Sequence, residues 1–198
     1  MAKDLFELLG AGCWVYGGAK DLPEVSRRLQ VCADACFKIN SLRPSETGRR
    51  EESLRKLLGS AGENLVINPP FRCDFGYNIH IGNNFVGNFN LTILDEARVD
   101  IGDNVMIGPN CTLVTITHAM LPGQRNDGIM RALPVKIGDN AWLASNVVVL
   151  PGVTIGESAV IGAGSVVTKS VPSHTFAAGN PCRPIRPVTE LDRVEPVV

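Results

Sequence analysis

Starting at Ile137 and stepping by six, the chain places a branched aliphatic residue at every stop: Ile137, Leu143, Val149, Ile155, Ile161 and Val167. Four residues beyond each stands a small or β-branched residue: Ala141, Val147, Val153, Ala159, Ser165 and Val171. A period of six fits neither a helix, at 3.6, nor a strand, at two. It fits a coil with flat sides about six residues long, each turning one aliphatic side chain inward and bending at a small residue. Three such sides close a coil of about 18 residues, and stacked coils pair as parallel strands roughly 4.8 Å apart. Gly138, Ala144, Gly156 and Gly162 directly follow inward positions, where tight corners are needed. The rule holds earlier at Ile101, Ile107 and Leu113, with Val105, Cys111 and Thr117 four residues on. Ile81 and Ile93 keep the step before that, and a two-residue slip separates them from Ile101. One repeat cannot bury its own inner face, so the stack must be continuous and its ends capped.

The repeats assign residues 61–185 to a parallel β-helix, preceded by a helical cap over 1–60 and followed by a C-terminal tail over 186–198. In the cap, Asp21-Leu22-Pro23-Glu24 has the residues of a capped helix start, and Val25, Leu29, Cys32, Cys36 and Phe37 then recur at helical spacing. A second helix is expected from about Ser45 to Leu58, stopped by Gly59, with Arg49, Arg50, Glu51, Glu52, Arg55 and Lys56 as a solvated face. Between Thr117 and Pro134 the period vanishes. The polar, turn-rich stretch from His118 to Gly128 is expected to be a long loop thrown out of the prism, and loops of that length in a compact fold are usually functional.

Composition narrows the function. A formal net charge of -1 argues against a general nucleic-acid binder, so any phosphate site must be local. No apolar run approaches the roughly 18 residues of a membrane span, and Asp4 and Glu7 interrupt what would be a signal core, so a cytoplasmic address is expected. The cysteines at 13, 32, 36, 73, 111 and 182 include no CxxC pair and read as free, mostly buried thiols, with no metal site.

The stretch Pro70-Phe71-Arg72-Cys73-Asp74-Phe75-Gly76-Tyr77-Asn78-Ile79-His80-Ile81-Gly82 resembles maltose and galactoside O-acetyltransferases. So do Asn88-Phe89-Asn90, Thr117-His118, Asn140-Ala141-Trp142 and Ala178-Gly179-Asn180-Pro181-Cys182-Arg183. The resemblance implies a left-handed parallel β-helix with a maltose-acetyltransferase type of N-terminal cap, and a homotrimer with active sites in the clefts between subunits. The implied reaction moves an acetyl group from acetyl-coenzyme A, as co-substrate, to a hydroxyl of a sugar or sugar-like small molecule.

That chemistry needs a base, because a hydroxyl is a poor nucleophile at neutral pH. Of the three histidines, His118 stands where the period breaks and matches the family's catalytic residue; His80 and His174 read as structural. By resemblance, Asn88 orients the acceptor or stabilises the oxyanion, and the Ser145 amide is a backbone donor to it. Asp74, the Asp95-Glu96 pair and Met130 match acceptor-binding positions. Thr168, Lys169, Arg183 and Arg186 match contacts to the coenzyme's phosphates and adenine end, where basic groups and hydroxyls are what phosphate recognition requires. Ser145 and Ala163 match positions along the pantetheine arm, and Trp142 is either a wall of that channel or a buried anchor. Gly17, Val86 and Ile129 depart from the family pattern, and all three fall on the acceptor side. Three rivals stand beside this assignment: an acetyltransferase for a non-sugar alcohol or amine, a zinc hydratase on the same prism (which needs three histidine ligands), and a non-catalytic trimeric scaffold.

Overall fold

The computed structural model describes residues 5–17 and 22–197. Asp21, the expected helix cap, lies outside them. The repeats form a three-sided parallel β-helix. Its first face stacks Ser60–Ala61, Ile79–Ile81, Val99–Ile101, Val135–Ile137 and Thr154–Ile155. The second stacks Val66–Ile67, Val86–Gly87, Met106–Ile107, Trp142–Leu143, Val160–Ile161 and Thr175–Gly179, and ends in an antiparallel strand, Cys182–Pro187. The third stacks Phe71–Cys73, Leu91–Leu94, Thr112–Val114, Val148–Val149 and Val166–Val167.

The period of six is the period of burial. Ile137, Leu143, Val149, Ile155, Ile161 and Val167 all point inward and are buried, as are the corner residues from Ala141 to Val171 that follow each by four. At Gly87 the inward position carries no side chain; a Cβ there would lie 2.9 Å from Leu91 and 3.0 Å from the Phe85 ring, which already fill the space. On the corner between the first and second faces, Asn64, Asn84, Asn104 and Asn140 adopt positive φ, which asparagine tolerates better than most side chains. Their side chains form a ladder, Nδ2 of each donating to Oδ1 of the next at 2.7, 2.9 and 3.2 Å.

Register explains the slip in the repeat. Val149 pairs with Val167, a coil of 18 residues, whereas Ile81 pairs with Ile101, a coil of 20. The two extra residues sit on the corner from the third face to the first, at 74–78 and again at 94–98. The long excursion leaves from that same corner one coil further on, after Val114. Three successive coils are therefore widened at one edge of the prism.

The excursion is more ordered than the expected loop. Ile116–His118 and Ile129–Ala132 pair antiparallel, Val15–Tyr16 adds a third strand against Met130 and Ile129, and Pro122–Asn126 is a short helix. The cap likewise contains that strand as well as helices: α1 (Leu5–Gly10), α2 (Leu22–Asn40) and α3 (Thr47–Leu57). On α3, Glu51–Arg55 and Glu52–Lys56 pairs confirm a solvated face, but Arg50 is buried and donates to the carbonyls of Leu42 and Arg43, closing the turn from α2. Cys32, Cys36, Ile39, Leu54 and Leu58 join the core of the prism, so cap and coil share one apolar interior. The C-terminal segment begins inside the last strand and includes a one-turn helix at Glu190–Asp192.

Candidate active site

The widened corner brings Asp74, Glu96 and His118 together from three successive coils. With Met130 they line one cavity of about 240 Å³, whose apolar wall includes Phe6, Leu9, Val25 and Leu29 from the cap. His118 ends its strand opposite Met130 and is exposed; among the described residues its ring makes no protein hydrogen bond. A histidine so placed is open to an incoming hydroxyl.

The first two wide corners are each held by a side chain from the coil above. The carboxyl of Asp95 is fully buried and accepts backbone N–H groups from Asp74 (3.1 Å), Phe75 (2.9 Å) and Asn78 (3.4 Å). Asp95 therefore fixes the turn that carries Asp74; it is not on the cavity wall, and the expectation that it meets the acceptor is replaced by this positioning role. Burial pushes its pKa up to about 6, against the backbone donors of the turn, which favour the ionised form. Thr115 does the same for the next turn, donating to the Leu94 carbonyl at 2.7 Å and accepting from the Ala97 amide at 3.0 Å.

Glu96 is pushed up to about 8. Burial is the main cause, followed by its hydrogen bond to Asp74 and the charge of that neighbour. The shift favours one proton shared between Glu96 and Asp74, and the remaining carboxyl oxygens face the cavity as acceptors for a hydroxyl-bearing molecule. Gly17, expected to differ from the family on the acceptor side, lies at this cavity's edge: a Cβ there would stand 3.2 Å from the Met130 methyl.

Other expected site residues fall elsewhere. Asn88, Ser145 and Ala163 lie on the corner between the second and third faces. Asn88 is outside the asparagine ladder: its Oδ1 accepts the Phe89 N–H at 2.8 Å, and its Nδ2 has no protein acceptor among the described residues. The Ser145 N–H is likewise without a protein acceptor among them. Trp142 is half exposed on the second face and not a buried anchor; with Val160, Phe176 and Arg186 it lines a separate cavity of about 260 Å³. Arg186 is engaged by Asp192 through two contacts of 2.9 and 2.7 Å, and Arg183 is exposed beside it on the same strand. Thr168 and Lys169 are exposed where the last third-face strand ends. His80 contacts Ser60 Oγ at 2.9 Å, and His174 is a positive-φ corner residue. The three histidines thus occupy three different positions around the prism. Sequence reasoning passed over Thr115, whose only signal was a small polar residue at an inward position, and the cap residues Phe6 and Leu9.

The coil, its cap and a histidine thrown out at a widened corner define a hexapeptide-repeat acyltransferase. Residues 134–169 match the bacterial transferase hexapeptide family, 98–117 the hexapeptide repeat of succinyl-transferase, and 19–62 the maltose acetyltransferase hexapeptide capping motif. The chain is 47% identical to galactoside O-acetyltransferase of Escherichia coli K12 over 193 residues, covering 98% of this chain and 94% of that protein. The crystal structure of a maltose O-acetyltransferase from Clostridium difficile 630 superposes with a TM-score of 0.91 at 42% identity, covering 96% of this chain and all of that one. A galactoside acetyltransferase in complex with coenzyme A gives 0.89 at 43% identity, over 96% and 94% of the two chains. The chain belongs to the maltose and galactoside O-acetyltransferase family, and its fold is that family's left-handed parallel β-helix.

Proposed function

We propose that this chain transfers the acetyl group of acetyl-coenzyme A to a hydroxyl of a sugar or sugar-like acceptor, with His118 as general base. The observation that carries it is the meeting of His118 with the Asp74–Glu96 pair in one small cavity. The carboxyls bind neighbouring hydroxyls of the acceptor while the imidazole takes the proton of the attacking one. The alkoxide oxygen adds to the thioester carbonyl, the tetrahedral oxyanion collapses with cleavage of the C–S bond, and His118 returns the proton to the departing thiolate. Asn88 Nδ2 and the Ser145 N–H are the free donors suited to the oxyanion.

Those donors sit on a different corner from His118, so one chain does not assemble the whole site. A homotrimer in which the Asn88–Ser145 corner of one copy faces the His118 corner of the next completes it. Ser145 and Ala163, stacked on successive coils with the Gly164 N–H donating to the Ser145 carbonyl at 2.9 Å, give a narrow shelf for pantetheine. Thr168, Lys169, Arg183 and Arg186 at the C-terminal end suit the phosphates and adenine end. All six cysteines are free thiols, which suits the reducing cytoplasm, and no helix among the described residues is long and apolar enough to cross a membrane.

The test is release of free coenzyme thiol from acetyl-coenzyme A across a panel of sugars, alcohols and amines. His118→Ala is expected to lower kcat by about 10²–10⁴ with coenzyme affinity nearly unchanged. Full turnover in that variant defeats the assignment of the base; turnover confined to amines or non-sugar alcohols defeats the assignment of the acceptor.

A further inference from the structure

Cys32 and Cys36 stand one turn apart on the same side of α2, and Cys73 ends the first strand of the third face. The fold closes these three into a cluster that their spacing in the chain does not announce. Cys73 Sγ lies 3.5 Å from Cys32 Sγ and 3.8 Å from Cys36 Sγ, all three sulfurs fall within 4.8 Å of one another, and all three residues are buried. They are free thiols. Among the described residues this is the sole group of three potential ligand side chains so close together.

We propose that Cys32, Cys36 and Cys73 form a three-sulfur binding site for a soft, closed-shell cation, with three-coordinate copper(I) as its occupant. Metal–thiolate bonds near 2.3 Å in a trigonal arrangement place the sulfurs about 4 Å apart, so the Cys73–Cys32 and Cys73–Cys36 spacings need to open by only a few tenths of an ångström. Thiolates select soft ions, and zinc in structural sites takes four ligands; no fourth side chain belongs to this group. Binding displaces the three S–H protons to solvent and forms three metal–sulfur bonds.

A path to the site exists. A cavity of about 440 Å³ between α2 and α3 reaches Cys32; Arg27 and Arg28 on its wall share Glu24, and Lys56 is paired with Glu52, so this edge of the site keeps a net positive charge. The consequence is mechanical. The cation ties the cap to the strand whose next residue is Asp74, and so stabilises the widened corner from below. The proposal is independent of the assigned reaction, because its readout is binding.

The full chain, kept reduced under anaerobic conditions, is titrated with copper(I) in competition with a chromogenic copper(I) chelator. One equivalent per chain is expected, with X-ray absorption showing three sulfur neighbours, and the thermal midpoint rises with bound ion. Cys32→Ala and Cys36→Ala, each on the helix, are expected to weaken that equivalent by at least tenfold and to abolish the rise. They carry the test even if Cys73→Ala perturbs the core. Wild-type affinity in both helix variants, or two sulfur neighbours in place of three, overturns the site. Zinc(II) held as tightly as copper(I), with a fourth light-atom neighbour, overturns the three-coordinate assignment.

Discussion

Phe75 donates its backbone N–H to the carboxyl of Asp95 at 2.9 Å, across two successive coils. That bond, with its companions from Asp74 and Asn78, makes a buried acid the clamp of the turn that aims Asp74 at the cavity.

Removing the clamp leaves buried donors without acceptors. Asp95→Ala is expected to cost about 3–5 kcal/mol, and Asp95→Asn, which keeps one oxygen for the Asp74 and Phe75 amides, about 1–2 kcal/mol. Denaturant midpoints measure both. In Asp95→Asn the acceptor KM rises while the coenzyme KM holds; equal changes in the two contradict the positioning role.

Glu96 makes stability depend on pH with a definite sign. Its pKa is raised from 4.5 in the unfolded chain to about 8 in the fold, so between those values the folded state binds more protons. The stability linked to Glu96 is fully present below about pH 4.5 and is lost as pH rises through 8. Glu96→Gln is expected to remove that loss, on the order of a few kcal/mol between pH 5 and 9. The wild-type acceptor KM should climb above pH 8 as the proton shared with Asp74 leaves and the two carboxylates repel, and the variant's should stay flat. A parallel climb in both variants assigns the titration elsewhere.

The asparagine ladder has a measurable worth. Asn84 donates to Asn104, accepts from Asn64 and holds positive φ. Asn84→Ala loses both bonds and takes on left-handed strain, a cost of about 2–3 kcal/mol. Asn84→Gly loses the bonds without the strain, so it should fall nearer 1–2 kcal/mol, and thermal melts of the pair separate the two effects.

Arg183 is exposed and Arg186 is bound to Asp192, so the two arginines should differ. Arg183→Ala is expected to raise the coenzyme Kd about tenfold with little change in kcat, by loss of a charge-assisted phosphate contact. Titration calorimetry with coenzyme A reads it directly, and an unchanged Kd removes Arg183 from the coenzyme site.

The prism was legible because an inward side chain every six residues is forced by geometry wherever a flat side repeats. Ile137 to Val167 could hardly be anything else. The two-residue slip after Ile93 was visible too, but its meaning was not: it marks the edge where Asp74, Glu96 and His118 converge, and that follows only from register between coils. Asp95 and Glu96, adjacent acids in the sequence, turn opposite ways, one into a cage of amides and the other into the cavity, where the chain bends at 96–97 on the widened corner. Hydrophobic period says nothing about hairpins paired outside the prism, so the strands at Val15–Tyr16 and Ile129–Ala132 were hidden inside an expected helical cap and an expected loop. The proximity of Cys73 to Cys32 and Cys36 was hidden for a similar reason, since it depends on how the cap docks.

The last strand, Cys182–Pro187, runs against the grain of the stack. It is exposed along most of its length, and Pro184 follows Arg183 as Pro187 follows Arg186. Prolines lack the N–H that another strand would need, and arginines penalise a dry contact. A parallel solenoid is otherwise an open template on which molecules could add end to end. With Pro184 and Pro187 lacking N–H groups, this strand leaves the end of the second face with an edge poorly suited to accept a further strand.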